Sequence, residues 1–237
     1  MDTKQYWDEL ADMYQAVNAT TDWLLGYPSV LKLFGDLNRR TILDYGCGNG
    51  RFTRYTARQY PLSRIIGVDT SQAAIDNALR RTETSLGIEY HHIITHEEVD
   101  AFEFDRVCAN FVYCTIPNKE TLQDLTQRIY NKLPDGGVFV LMDPHPETHG
   151  KKFTSFQSDE IHDEKSGDRV HVRLFTNSID LEFDDYYWTR KDYEDVIKGA
   201  GFMITGVLEP IAVEYQDDKR LGEERHHPPF IIFKAVK

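Results

Sequence analysis

The sequence has few cysteines, no long apolar run and no excess of basic residues. Its three cysteines, Cys47, Cys108 and Cys114, are too few for a disulfide or zinc framework. We therefore expect them to be reduced core residues of a cytoplasmic protein. Because no apolar run reaches about 18 residues, no membrane span is predicted. The N-terminus lacks the basic-then-apolar order of a signal peptide, so no secretory leader is expected either.

The charge balance of the 237 residues is acidic. There are 39 acidic and 27 basic residues, and the net charge is −12. A surface that follows nucleic-acid phosphates needs clustered Lys and Arg, so this balance argues against one. It leaves open a nucleic acid held in one local groove. We expect a small-molecule substrate, no nucleic-acid or membrane partner, and a monomer or homodimer.

The stretch from Thr41 to Arg51 organises the rest of the chain. Apolar and β-branched residues lead into Asp44, and glycines follow at positions 46, 48 and 50. This order is typical of a buried parallel strand that turns into a helix. Glycine tolerates positive φ and has no Cβ, so a ligand can lie directly against this turn.

The spacing of these glycines separates two nucleotide-type cofactors. Dinucleotide folds use G-x-G-x-x-G, whereas this chain reads Asp-x-Gly-x-Gly-x-Gly and has Arg51 where the third glycine would fall. Asp44 beside the turn would repel a pyrophosphate and suits a cationic ligand. The pattern resembles the first motif of the class I S-adenosylmethionine-dependent methyltransferases, whose cofactor carries an ammonium and a sulfonium.

Later segments extend this resemblance. Asp69 ends the second predicted strand, where the family places the carboxylate that binds the ribose hydroxyls. After the third strand the family has an acidic residue for the adenine, but this chain has Ile94 and Thr95. Backbone groups there, or the side chains of His96 or Glu97, are the alternatives. The resemblance implies that twelve residues contact the cofactor: Trp7, Tyr14, Asp44, Gly46, Gly48, Asn49, Asp69, Thr70, Ile94, Thr95, Asn110 and Phe111.

The end of the fourth predicted strand, at Asn110, bears on the class of substrate. Catechol-type relatives place a magnesium-binding aspartate in this region, so an amide without an acidic pair predicts no metal. Enzymes that methylate amino groups of nucleic acids often have Pro-Pro-Tyr or Pro-Pro-Phe after this position. This chain has Phe-Val-Tyr instead, which disfavours that class.

Two further regions are predicted to close the site. Trp7, Asp8 and Tyr14 lie in a predicted helix over residues 4–17 that resembles the family's cofactor cap; simple packing of this helix is the alternative. On the acceptor side, Asp143 and His145 follow strand 5 and are the predicted catalytic pair, with His145 as base. A plain surface turn is the alternative for His145. The predicted substrate-binding aromatics are Tyr113, Tyr186, Tyr187 and Trp188.

The predicted fold is α/β, with a doubly wound, mostly parallel seven-stranded sheet in the order 3-2-1-4-5-7-6. Residues 1–37 form the predicted N-terminal helical cap and residues 38–143 with 189–237 the cofactor-binding core. Residues 144–188 form an inserted lid and β-hairpin, around a turn at Asn177 and Ser178.

The predicted activity is S-adenosylmethionine-dependent methyl transfer to an oxygen or nitrogen of a small molecule, for which secondary metabolism is one setting. The alternatives are a non-catalytic cofactor-binding module and an aminopropyl transferase.

Overall fold

A computed structural model describes residues 3–177, 179–213 and 219–237. Seven strands form one sheet in the order β3-β2-β1-β4-β5-β10-β9. Within it only β10 is antiparallel to its neighbours, β5 and β9. The strands are β1 Thr41–Tyr45, β2 Arg64–Asp69, β3 Ile88–His92, β4 Arg106–Asn110, β5 Val138–Pro144, β9 Met203–Leu208 and β10 Phe230–Val236.

The α/β architecture and the mainly parallel sheet agree with the prediction, and the strand order needs a correction. The order predicted was 3-2-1-4-5-7-6, whereas the last two strands are β10 and β9 of the chain. The difference arises because three strands of a second sheet intervene between β5 and β9.

Helices cover both faces of the large sheet because the central strands are buried on both sides. Residues of α2 and α3 pack with Ile42, Val140 and Ile232 on one face. Residues of α5 and α6 pack with Leu43, Leu141 and others on the opposite face. The helices are α1 Thr3–Tyr14, α2 Tyr27–Phe34, α3 Arg51–Gln59, α4 Gln72–Arg81, α5 Lys119–Lys132 and α6 Arg190–Gly199.

The N-terminal region differs in detail from the prediction. The predicted helix over residues 4–17 ends at Tyr14, and Val17 instead forms an isolated bridge with Thr176. A π-helical turn, Asp22–Gly26, precedes α2. Pro28 therefore lies in the first turn of α2, where its missing N–H costs little.

The insertion forms a three-stranded antiparallel sheet, where the sequence predicted a two-stranded hairpin. Its strands are β6 Phe156–Ser158, β7 Arg169–Leu174 and β8 Leu181–Tyr186. Strand β6 lies inside the stretch predicted as an irregular lid, and its three residues are too few to show a period. Of the predicted turn, Ser178 lies outside the described residues. None of the described helices is long and apolar enough to cross a membrane.

Candidate active site

The glycine turn after β1 is shaped by left-handed backbone at Gly46, Gly48 and Gly50, whose φ angles are 71°, 53° and 75°. A Cβ on Gly50 would lie 2.4 Å from the Tyr90 hydroxyl, so that position needs glycine for packing. A Cβ on Gly48 would meet no protein atom within 4 Å. The backbone at Gly48 therefore faces open space in which a ligand can approach closely.

That space is part of a cavity of about 540 Å³ at the carboxyl ends of β1, β2 and β4. Ligands bind at this edge in open α/β sheets. All twelve residues predicted to contact the cofactor line this cavity. The structure thus brings together positions from Trp7 to Phe111, and their individual contacts with the cofactor stay predictions.

Asp69 connects the end of β2 to the glycine turn. Its Oδ2 accepts a hydrogen bond from the Gly48 N–H at 2.7 Å, and its Oδ1 accepts one from the Ser71 N–H at 2.9 Å. Burial raises the pKa of this carboxyl, and these N–H donors oppose the rise. Each carboxylate oxygen can accept more than one hydrogen bond, so Asp69 can hold the turn and also accept from a ligand.

Asp44 is a buried carboxyl at the start of the turn, with 2% of its surface exposed. Its Oδ2 accepts a hydrogen bond from the Thr53 hydroxyl at 2.6 Å. Burial raises the pKa of Asp44 to about 6, against the effect of this hydrogen bond. A cationic ligand group beside Asp44 would favour its ionised form.

Hydrogen bonds within the protein reduce the number of groups that could bind the adenine. The N–H groups of Ile94 and Thr95 both donate to the Glu98 Oε1, at 2.6 and 3.0 Å. These two donors are therefore engaged within the protein. His96, whose Nδ1 pairs with the Tyr45 hydroxyl, and Glu97 also line the cavity. They remain the side-chain candidates for contact with the base.

Asn110 carries the clearest sign of a missing polar partner. Neither its amide nitrogen nor its amide oxygen has a hydrogen-bond partner within the described residues, although both atoms are buried. Buried polar groups are normally paired. Phe111 follows with φ of 58° and lies against Phe230, 5.2 Å between ring centroids. The open Gly48 backbone, the buried Asp44 and the unpaired Asn110 fit S-adenosylmethionine, which offers an ammonium, a carboxylate and hydroxyl groups.

Helix α1 covers one side of the cavity, to which it contributes Trp7 and Tyr14. The Asp8 Oδ1 accepts hydrogen bonds from the Ser71 hydroxyl at 2.6 Å and from the Ala73 N–H at 3.2 Å, at the start of α4. Trp7 meets the edge of Phe183 from the inserted sheet, 5.4 Å between ring centroids. The helix therefore joins the cofactor side of the cavity to the insertion.

The predicted catalytic pair lies outside the cavity lining. Asp143 is buried, and its Oδ2 accepts the Cys114 N–H at 3.0 Å. The His145 Nδ1 accepts the Glu147 N–H at 3.2 Å, and its Nε2 lies 3.6 Å from the Glu209 carboxylate. Burial lowers the pKa of His145. A catalytic role for this pair stays a prediction.

None of the four aromatic residues predicted to bind substrate lines the cavity. Tyr113 is buried, and its hydroxyl pairs with Thr126. The Trp188 indole N–H donates to the Ile116 carbonyl at 3.1 Å, within the core. Tyr186 packs against this core, and Tyr187 lies against His149.

Two residues of β8, Phe183 and Asp185, line the cavity from the insertion and were not singled out in the sequence. The burial pattern of β8 alternates, with positions 181, 183 and 185 buried. The sequence did contain a signal for Asp185. Leu181 and Phe183 alternate with polar residues, and the next position in this alternation is Asp185. Across the described residues, no group of three His, Cys, Asp or Glu side chains could hold a metal ion.

Comparison with known proteins agrees with this geometry. The methyltransferase domain family matches residues 25–206. The chain is similar to N-demethylindolmycin N-methyltransferase of Streptomyces griseus, with 29% identity over 96% of each chain. It is also similar to trans-aconitate 2-methyltransferase of Afipia carboxidovorans, with 34% identity over 46% of this chain and 40% of that protein.

Among solved structures, the CcbJ methyltransferase of Streptomyces caelestis superposes with a TM-score of 0.70 and 15% identity, over 100% of this chain and 99% of that one. At this identity the likeness shows the fold. The family match covers most of the chain, which therefore belongs to the methyltransferase domain family. It is an S-adenosylmethionine-dependent methyltransferase.

Proposed function

We propose that this enzyme methylates a nitrogen atom of a small, uncharged or cationic molecule. The observation that carries the proposal is the charge of the cavity wall. Four carboxyl residues line it: Asp44, Asp69, Glu97 and Asp185. Of the described lining residues, Arg51 is the one Lys or Arg, and its Nη2 is engaged by three backbone carbonyls.

Asp44, Asp69 and Glu97 are assigned to the cofactor, so Asp185 is the lining carboxyl left for the acceptor. An anionic acceptor is disfavoured there, because a carboxylate or phosphate would meet a like charge. The net charge of −12 acts in the same direction for nucleic acid. The full-length similarity to an enzyme named as an N-methyltransferase supports nitrogen as the acceptor atom. Oxygen is the second candidate, supported by the partial similarity to enzymes named trans-aconitate 2-methyltransferase.

In the proposed mechanism, bound S-adenosylmethionine supplies an activated methyl group. The protein mainly positions the two reactants and excludes water. The glycine turn and Asp69 hold the nucleoside end, while Asp44 and Asn110 orient the amino-acid end. Helix α1 and the inserted sheet cover the opposite side of the cavity.

The division into parts is also a proposal. Residues 1–37 would act as a cap, residues 38–143 and 189–237 as the cofactor-binding core, and residues 144–188 as the acceptor-side insertion. The hydrogen bonds from Ser71 and Ala73 to Asp8 support a cap that responds to the cofactor, because they lie beside Asp69. We also propose that the enzyme is a monomer or homodimer and has no nucleic-acid partner.

The proposal is tested by incubating the purified enzyme with methyl-labelled S-adenosylmethionine and a fractionated small-molecule extract. We expect release of S-adenosylhomocysteine and label in a product whose fragment masses place the new methyl on nitrogen. Label on oxygen would favour the second candidate. A parallel incubation with decarboxylated S-adenosylmethionine tests aminopropyl transfer, which would release methylthioadenosine. Cofactor binding without any product would indicate a binding module.

A further inference from the structure

Asp185 is a carboxyl where the strand pattern calls for an apolar side chain. It shares the inward face of β8 with Leu181 and Phe183, whereas Glu182 and Asp184 face outward. Only 7% of Asp185 is exposed. A buried carboxyl is costly unless it is paired, so its presence beside a cavity points to a role in binding or catalysis.

Asp185 lines the cavity, and one of its carboxyl oxygens is enclosed by protein without a partner in the described part of the chain. Its Oδ1 is buried and has no hydrogen-bond partner within the described residues. The Cys114 side chain interacts with both Asp185 and Asp143, and the Cys114 N–H donates to Asp143 at 3.0 Å. The two carboxyls thus form a buried acidic pair bridged by Cys114. Burial, and then the charge of Asp143, hold the pKa of Asp185 well above its usual range.

Asp185 lines the cavity near the contact between α1 and the inserted sheet. It interacts electrostatically with Tyr14 of α1, which lies beside Arg51 at the glycine turn. Phe183, two residues away on the same strand face, meets Trp7. The residues near Asp185 therefore belong to the cap and the insertion, and Tyr14 connects them to Arg51 after the glycine turn.

We infer that Asp185 is the residue that contacts the acceptor amine, accepting its N–H and taking the proton released by methylation. This inference rests on the proposed function for the identity of the acceptor atom. It places the proton acceptor on the inserted sheet. The sequence had suggested His145, which follows β5 of the large sheet.

The proposed step balances in atoms and charge. The nitrogen lone pair of a neutral amine forms the new N–C bond while the S–CH₃ bond breaks and its electron pair returns to sulfur. This gives neutral thioether and an N-methylammonium. The ammonium proton then passes to Asp185 in its ionised form, which the raised pKa makes a stronger base, leaving a neutral amine and a protonated carboxyl. Asp143, Cys114, Tyr14, Tyr193 and Asp184 are titratable groups that interact with Asp185, and His149 and Tyr186 line a small cavity together with it.

The test uses sinefungin, a cofactor analogue with an amine-bearing carbon in place of the methylated sulfonium. It presents an amine near the transfer site whichever acceptor is natural. Calorimetry compares its affinity with that of S-adenosylhomocysteine in the wild type, Asp185→Asn and the control Asp184→Asn. We expect Asp185→Asn to lose about tenfold to hundredfold in sinefungin affinity, the range of a charge-assisted hydrogen bond. Its affinity for S-adenosylhomocysteine should change less than about twofold.

Asp184→Asn removes a carboxyl from the adjacent, outward-facing position, so we expect it to match the wild type for both ligands. The measured quantity is the ratio of the affinities for sinefungin and S-adenosylhomocysteine. If Asp185→Asn does not bind S-adenosylhomocysteine, the ratio is measured with Asp185→Ala. An unchanged ratio of the two affinities in a variant that binds S-adenosylhomocysteine would overturn the inference. A changed ratio together with methylation on oxygen would leave Asp185 at the transfer site and overturn the proposed amine acceptor instead.

Discussion

The Nη2 atom of Arg51 lies 3.0 Å from the carbonyl oxygen of Tyr14, so the helix that follows the glycine turn donates directly to the last residue of α1. The same atom donates to the carbonyls of Gln15 and Val17, at 3.0 and 3.2 Å. One cation thereby satisfies three carbonyls near the C-terminal end of a helix, where positive charge is favourable. The closure of the cavity by α1 is linked to the turn through this contact.

Replacing Arg51 with Met should loosen α1 and leave the sheet intact. Met keeps an apolar chain of similar length but removes the hydrogen bonds from the charged guanidinium. A hydrogen bond to a charged group contributes about 1.5–3 kcal/mol to stability. We expect hydrogen exchange in residues 3–14 to become at least tenfold faster, about the effect of 1.4 kcal/mol. The control is Arg58→Met, on the same helix but paired at the surface with Glu83. Unchanged exchange in α1 would contradict this role.

Gly48→Ala should weaken cofactor binding more than it weakens folding. Gly87 offers a matched control: its φ is 60° against 53° at Gly48, and a Cβ would meet no atom within 4 Å at either position. Both alanine variants should therefore lose a similar free energy of unfolding, about 1 kcal/mol, from left-handed backbone. Only Gly48→Ala should bind S-adenosylhomocysteine more weakly in calorimetric titration. Equal affinities in the two variants would show that the cofactor does not approach Gly48.

Asp44 should make cofactor affinity depend on pH. Its pKa is raised from 3.8 to about 6 in the folded protein, so folding favours its protonated form. Its contribution to stability is therefore fully present below about pH 4 and is lost as the pH rises through 6. An ammonium group needs the ionised carboxylate, so affinity for S-adenosylhomocysteine should rise about tenfold from pH 5 to pH 7.

The variant Asp44→Asn separates the pH dependence due to Asp44 from that of other buried carboxyls. It should bind S-adenosylhomocysteine weakly and lose the rise in affinity between pH 5 and pH 7 that is due to Asp44. Without ligand, its free energy of unfolding relative to wild type should increase over the same interval. Thermal unfolding at several pH values measures this difference, and a difference that does not vary with pH would refute the assignment to Asp44.

His145→Asn should retain turnover within about twofold of the wild type, because His145 lies outside the cavity lining. Asparagine keeps an acceptor for the Glu147 N–H, so the loop after β5 should stay in place. Initial rates with the acceptor found in the labelling experiment measure the effect. A loss of about 10²-fold with unchanged cofactor affinity would instead make His145 the general base suggested by the sequence.

Features encoded by local sequence patterns were predicted well. The strands and the glycine turn follow from apolar runs and from residues that need positive φ, so the cavity-lining positions at Gly48, Asp69 and Asn110 could be identified. The placement of Trp188 could not, because it depends on a hydrogen bond to Ile116, 72 positions earlier in the chain. Asp185 was missed because its neighbours read as a polar strand end, although the alternation of Leu181 and Phe183 continues to it.

The inserted sheet and α1 share a small apolar core of Val17, Val172, Leu181 and Phe183, against which Trp7 and Tyr14 pack. This core is separate from the two clusters that hold the large sheet. Mutations in it should therefore alter the insertion and α1, including Trp7 and Tyr14, while the sheet that carries the glycine turn keeps its support. Such an arrangement would let the insertion and its cap vary as one compact unit while the sheet that carries the glycine turn stays unchanged.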